Sequence, residues 1–263
     1  MTKVRATAAA LALALAGAAD AQELTPLSYD WAVDGTVTGV AVAARATLLL
    51  FRSDLAPAKC RWCEPGGLDA ELARSATWSN RRLANTLADV LQWVVPAGMV
   101  GFGLVQAYRL GNPTAGWSDV LLVAEATSIA MLVNAGVKYA VARARPYAWK
   151  EEESFDSPDD ANLSFFSGHS TWAFAVAVSA GTLYMMQGMP GAPAAMGVGL
   201  VLAAFTGYLR MASDQHYFTD VLTGAAVGSL LGWAIPYVFH RPKSQASSPT
   251  AAVVPVGGFA IAF

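Results

Sequence analysis

The chain has 263 residues, of which 55% are hydrophobic and 14% charged, with a mean hydropathy of +0.40 and a formal net charge of −2. Soluble domains average about 25% charged residues, so this composition argues against an ordinary soluble protein and for a membrane one. The small charge balance gives no basis for nucleic-acid binding.

Residues 1–21 have the pattern of a secretory signal. Lys3 and Arg5 precede an apolar run from Ala6 to Ala18, and Ala19-Asp20-Ala21 fits the cleavage rule, with the cut expected before Gln22. An uncleaved anchor is the competing reading. Residues 22–89 form an N-terminal region. Its apolar stretch Gly35 to Phe51 is short and carries Arg45 mid-way, so it either spans or lies along the interface. Cys60 and Cys63 have no second pair with which to build a four-thiolate zinc site. In an exported segment a local disulfide is expected.

Residues 90–243 hold stretches near the 20 or so residues that cross a bilayer. They are Val90 to Tyr108, Trp117 to Val137, Thr171 to Met186, Ala194 to Leu209 and Val221 to Phe239. Their Gly, Ala and Ser content suits close helix packing in lipid. The expected fold is all-α: a polytopic bundle of five or six spanning helices, with its polar motifs at helix ends on one face. Lys138 to Phe166 is a long polar connection carrying Glu151, Glu152, Glu153, Asp156, Asp159 and Asp160, a solvated loop. Glu125 and Asn134 lie inside a span, and an interhelical hydrogen bond is expected for Glu125. After Phe239 comes a basic stop, His240-Arg241-Pro242-Lys243, and residues 244–263 read as an extended tail.

Three polar groups fall at helix ends that antiparallel hairpins bring to one face. In the first, Lys138 and Arg145 are spaced by about two helical turns, and Pro146 ends the helix. Two cations on one face suit an anion with several oxygens. Arg143 falls off that spacing. In the second, Ser167-Gly168-His169-Ser170 opens a helix, where free N–H groups favour an anion. In the third, Arg210 precedes His216 and Asp220, and the last two are neighbours if they share a helix. A carboxylate on one imidazole nitrogen frees the other as a nucleophile. Taken singly, each group also reads as ordinary snorkelling, capping or surface pairing. Two of the chain's 3 histidines fall in them, on the shared face.

These groups resemble the three motifs of the type 2 phosphatidic acid phosphatase (PAP2) family, which shares its site with vanadium haloperoxidases. The family pattern is Lys-x6-Arg-Pro, Pro-Ser-Gly-His and Ser-Arg-x5-His-x3-Asp. Here it is met by KYAVARARP, FSGH and LRMASDQHYFTD, with Phe166 in place of the Pro and Leu209 in place of the Ser. The resemblance implies a phosphatase in which His216 attacks phosphorus, Asp220 orients it and His169 protonates the leaving group. It implies that Lys138, Arg145, Ser167, Gly168 and Arg210 hold the phosphate, with no metal or other cofactor. The implied partner is a lipid phosphate in the bilayer, not a nucleic acid. Candidate substrates are phosphatidic acid, phosphatidylglycerol phosphate, undecaprenyl diphosphate and lipid A phosphates. A haloperoxidase-like enzyme and a non-catalytic anionic-lipid binder are the alternatives. Helix parity expects a bacterial-type inner-membrane protein with its catalytic face outside, provided that Gly35 to Phe51 does not cross.

Overall fold

The computed structural model describes residues 23–152 and 158–242, with the backbone of 254–256 and 259–261. The expected signal, residues 1–21, lies outside the described residues, as do Glu153, Asp156 and Lys243. The helices are α1 (Trp31–Leu50), α2 (Arg52–Leu55), α3 (Gly67–Ser75), α4 (Arg81–Arg109), α5 (Pro113–Val141), α6 (Pro146–Trp149), α7 (Gly168–Met186), α8 (Ala192–Ala212) and α9 (Phe218–Phe239). In the tail, Val254–Val256 and Phe259–Ile261 pair antiparallel.

Among the described residues, α1, α4, α5, α8 and α9 are long and apolar enough to cross a membrane. Their outward surfaces carry exposed apolar side chains such as Val40, Trp93, Val201 and Leu230. The chain is an all-α polytopic membrane bundle. The stretch expected from Gly35 begins earlier, at Trp31, because Asp30 caps the helix by accepting from the N–H groups of Ala32 and Val33. That extension makes α1, packed along α5, long enough to cross a bilayer.

The most buried helix is α7, which contacts α4, α5, α8 and α9, with 13 of its 19 residues buried. Nineteen residues rise about 28 Å, close to the hydrocarbon thickness. Shielded from lipid by its neighbours, α7 tolerates Ser170, Thr171, Ser179 and Thr182. Its contact with α9 depends on Gly224, Gly228 and Gly232, which form one stripe. A Cβ on them would stand 2.6, 2.5 and 2.7 Å from the carbonyl oxygens of Ser167, Thr171 and Ala175. Only glycine lets the two backbones come so near.

α4 also starts well before Val90. Asn80 caps it by accepting from Leu83 N–H, and its first turns are polar. Pro96 lies inside α4 and has no N–H to give the carbonyl of Gln92. The indole N–H of Trp172 on α7 fills that place at 2.9 Å.

At the end of the bundle where α9 stops, Glu125 on α5 receives His240 Nε2 at 3.1 Å, the interhelical bond expected for this acid. His240 Nδ1 lies 3.0 Å from the carbonyl oxygen of Ser28. A carbonyl only accepts, so Nδ1 carries a proton. Burial opposes the imidazolium, but the bonds to Glu125 and Ser28, with the charges of Glu125 and Asp34, outweigh it and raise the His240 pKa. A raised histidine pKa stabilises the fold fully below the unfolded value of about 6.5 and loses that contribution as pH rises through the folded value. The melting temperature in detergent is expected to fall as pH rises above about 6.5. The His240→Gln protein should show a flatter profile over the same range.

Candidate active site

The end of α5 departs from the expected periodicity. The helix stops at Val141, because Ala142 takes a left-handed conformation with φ 50°. Arg145 is extended (φ −74°, ψ 157°), as a residue before proline prefers, and Pro146 opens the short α6. Lys138 and Arg145 are therefore not two turns of one helix. Both still reach the same cavity of about 310 Å³.

That cavity is lined by Lys138, Arg145, Gly168, His169, Arg210 and His216 of the sequence motifs. The structure thus gathers six of the eight singled-out residues around one space. The other two stand behind it. Ser167 is fully buried as the N-cap of α7, its Oγ 3.4 Å from Ser170 N and 3.0 Å from Ser170 Oγ. Asp220 is fully buried at the third position of α9, where it accepts from Tyr217 N–H in a capping box.

His216 does not share a helix with Asp220, since α9 begins only at Phe218. Its Nδ1 lies 3.6 Å from Asp220 Oδ2, too long for a hydrogen bond. Asp220 is otherwise engaged: Oδ2 accepts from Ser164 Oγ at 2.5 Å, and Oδ1 pairs with Arg143 at 2.5 Å. The other nitrogen, Nε2, lies 3.4 Å from Arg145 Nη1. A guanidinium has only donors, so Nε2 presents its lone pair there and Nδ1 carries the proton on the Asp220 side. Burial first, then the charges of Arg145, Lys138, Arg210 and His169, push the His216 pKa well below its ordinary value. The ring is neutral at physiological pH, as a nitrogen nucleophile requires.

The cations are fixed by oxygens behind them. Lys138 Nζ donates to the carbonyl of Leu163 at 2.6 Å. Arg145 donates through Nε to the Asp160 carbonyl at 2.9 Å and through Nη1 to Gln215 Oε1 at 2.9 Å. Arg210 donates to Asn85 Oδ1 at 2.5 Å. Asn134, one turn before Lys138, donates to the Phe166 carbonyl at 2.7 Å and so holds the strand of chain that enters Gly168. The loop bearing His216 is tied down by Asp214, which meets Lys150 at 2.8 Å.

Several of these residues escape motif reading. Asp89 on α4 meets His169 Nε2 at 2.9 Å and Arg210 Nη1 at 3.8 Å. Asn85, Asp89 and Gln92 all line the cavity. They recur at i, i+4 and i+7 along α4, a polar stripe that the sequence does display. Arg45 and Arg52, from the α1 and α2 region, line the same cavity.

Arg143, which the motif spacing sets aside, is fully buried between two carboxylates. It pairs with Asp69 at 2.6 Å and with Asp220 at 2.5 Å, and donates to Thr219 Oγ1 at 2.8 Å. Its guanidinium lies over the rings of Trp62 and Tyr217, 3.8 and 4.2 Å from their centroids. Trp62 sits between Cys60 and Cys63, which form the expected disulfide.

Comparison with known proteins adds to this geometry. Residues 119–244 match the family described as the PAP2 superfamily. A lipid A 1-phosphatase of Porphyromonas gingivalis is 35% identical over 129 residues, which cover 46% of this chain and 25% of that protein. The match thus spans about a quarter of that relative's length. A solved structure, the crystal structure of the first transmembrane PAP2 type phosphatidylglycerolphosphate phosphatase from Bacillus subtilis, is 20% identical with a TM-score of 0.49. That likeness covers 73% of this chain and 94% of the other. The matched family region begins within α5, so α1, α3 and α4, with Arg45, Asp69, Asn85 and Asp89, lie outside it.

Removing the Arg143 charge leaves two buried carboxylates without their cation. Breaking a buried pair from one side costs about 3–5 kcal/mol. Arg143→Gln is therefore expected to lower the denaturation midpoint sharply. Arg143→Lys, which keeps the charge but cannot span both acids, should fall between. Equal midpoints for all three proteins would show that this ion pair does not hold the site.

Proposed function

We propose a lipid phosphate phosphatase working through a phosphohistidine, from the premise that this chain belongs to the PAP2 superfamily through residues 119–244. One observation carries the reading. His216 turns an unprotonated Nε2 toward Arg145 in a cavity that it shares with Lys138, Arg210, Gly168 and His169.

In the proposed reaction, Nε2 of His216 attacks phosphorus and the P–O bond to the lipid breaks. The proton on Nδ1 stays with the ring, next to the Asp220 carboxylate. The leaving alkoxide takes a proton from His169, whose Nε2 is held 2.9 Å from Asp89 Oδ1. Water then gives a proton back to His169 and attacks phosphorus. The P–N bond breaks, and inorganic phosphate leaves with His216 restored. Phosphoryl transfer needs mainly positioning and charge stabilisation. Lys138, Arg145 and Arg210 supply the positive charge, and the N–H of Gly168 at the start of α7 adds a donor. Ser167 caps α7 by accepting through its Oγ, which leaves its hydroxyl proton to donate to a phosphate oxygen.

A lipid substrate follows from the cavity's place in a membrane bundle, at the end where α5 and α8 finish and α7 and α9 begin. The relative acting on lipid A 1-phosphate is consistent with that class. We also infer an inner-membrane location of bacterial type, with the catalytic face outside. With α1 crossing, Glu23 and the cavity lie on opposite sides of the bilayer. The Cys60–Cys63 disulfide lies on the cavity side, since Arg61 N and Trp62 O bond to Ala142 O and Ala144 N. Disulfides persist in oxidising compartments.

Two experiments test these statements. His216→Ala should lose at least about a thousandfold in phosphate release from phosphatidic acid micelles, while EDTA leaves the wild-type rate unchanged. Retained activity in that variant would end the phosphohistidine reading. For sidedness, an impermeant maleimide applied to intact cells is expected to label Cys60 and Cys63 only after reduction. Labelling that requires permeabilised cells would reverse the orientation.

A further inference from the structure

A second polar cluster stands at the other end of the bundle from the catalytic cavity. It consists of Asp34 on α1, Glu125 on α5 and His240 just after α9. All three are more than nine-tenths buried, at 7, 6 and 3% exposure. One ligand atom from each lies within 4.8 Å of the other two. The cluster borders a cavity of about 500 Å³, and no Lys or Arg lines that cavity. Its charges do not balance. His240 Nε2 meets Glu125 Oε2 at 3.1 Å, while Asp34 Oδ2 accepts the main-chain N–H of Asp30 at 2.8 Å. Among the described residues, no Lys or Arg pairs with either acid. Arg241, next along the chain, turns its guanidinium onto the Tyr237 ring instead. Even with His240 protonated, one buried negative charge has no counterpart, and such a charge is costly inside a membrane bundle.

The arrangement matches a coordination site in donors, tautomer and spacing. One imidazole with two carboxylates is a donor set for divalent first-row metals. His240 directs Nδ1–H to the Ser28 carbonyl at 3.0 Å, the outer bond that metal-bound histidines make, which turns Nε2 toward the acids. Adjacent ligands on an ion with bonds of about 2.1 Å stand about 3.0–3.4 Å apart, and Nε2 and Oε2 are 3.1 Å apart. A divalent ion with two carboxylates and a neutral imidazole also sums to zero charge, which removes the imbalance.

We propose that Asp34, Glu125 and His240 bind one divalent first-row metal ion, of the Zn²⁺ or Mn²⁺ class, as a structural clamp remote from the reaction. Asp34 stands in the first turn of α1, where rotation of its short side chain brings a carboxylate oxygen onto the ion. The ion then joins three parts of the chain: the start of α1, the middle of α5 and the end of α9. The cluster lies about 20 Å of α5 away from Lys138, so the ion takes no part in phosphoryl transfer. The clamp stands whether or not the phosphatase reading does.

The test uses the full chain in detergent, stripped with EDTA and then given Zn²⁺, Mn²⁺ or Mg²⁺ at fixed pH. The wild type should take up one equivalent of Zn²⁺ or Mn²⁺, counted by elemental analysis after desalting. Its melting midpoint should rise by at least about 5 °C with the ion at a hundredfold its Kd. Mg²⁺ should leave the midpoint unmoved, because it favours oxygen ligands. Asp34→Asn and Glu125→Gln keep the side-chain shapes and remove the charge, and each should weaken uptake at least about tenfold. The rate of phosphate release below the midpoint should be the same with and without the ion. X-ray absorption at the zinc edge reads the ligands in the wild type itself, so the test holds even where a variant fails to fold. One imidazole among oxygen ligands is expected, and an all-oxygen shell or two imidazoles would overturn the site. So would a wild type that takes up neither ion, or uptake undiminished in both variants. Uptake lost on Asp89→Asn instead would put the ion in the catalytic cavity and equally end the proposal.

Discussion

A guanidinium with no access to water must be neutralised where it sits, and Arg143 imposes that demand on the cavity end of the bundle. Its partners come from separate parts of the chain. Asp69 comes from α3, Thr219 and Asp220 from the start of α9, and Trp62 from the disulfide loop. The α3 and disulfide-loop segments are short or irregular, and on their own would have little reason to hold one position. The shared cation gives them a common anchor. Asp220 in turn caps α9 and accepts from Ser164, which fixes the approach to α7. His216 is then set by the backbone on either side of it and by Arg145, more than by a direct bond to Asp220.

The close contact of α7 and α9 serves the same end. Main-chain N–H of Ser167 donates to the carbonyl of Asp220, joining the starts of the two helices at 3.0 Å. The glycines of α9 then let the helices run together without side chains between them. Because α7 is enclosed, its register fixes Gly168 and His169 against α4 and α5. The indole bond from Trp172 to the carbonyl left open by Pro96 ties that register to α4. Helix packing thus supplies rigidity, and the polar groups are added at its end.

The N-terminal third changes the character of the site. The region that matches the PAP2 superfamily contains His216, His169, Lys138, Arg145 and Arg210. The surrounding walls are built by α1 and α4 from outside it. α4 brings the acid that orients His169 and the amide that fixes Arg210. α1 brings Arg45 to the cavity wall.

Apolar run lengths and charge depletion were enough to read a helical membrane bundle, and motif order was enough to read one polar face. Both depend on local rules: the length that crosses a bilayer and the alternation of antiparallel helices. The identities of Lys138, Arg145, His169, Arg210 and His216 were legible for the same reason, since residue type and spacing carry them. Their geometry was not. The helix through Lys138 ends at Ala142, and α9 begins after His216, so the periodicities that seemed to pair these residues do not apply. Ser167 was singled out by its motif, and the structure adds that its Oγ caps α7. Arg143 looked incidental because spacing along one helix says nothing about a carboxylate seventy residues away, at 2.5 Å. Asp89 and Arg45 were present in the sequence as polar interruptions of apolar helices, without a reason attached. Local propensity decides which segments form helices. Only tertiary packing decides which charges meet, because burial makes each buried charge find a partner wherever in the chain that partner lies.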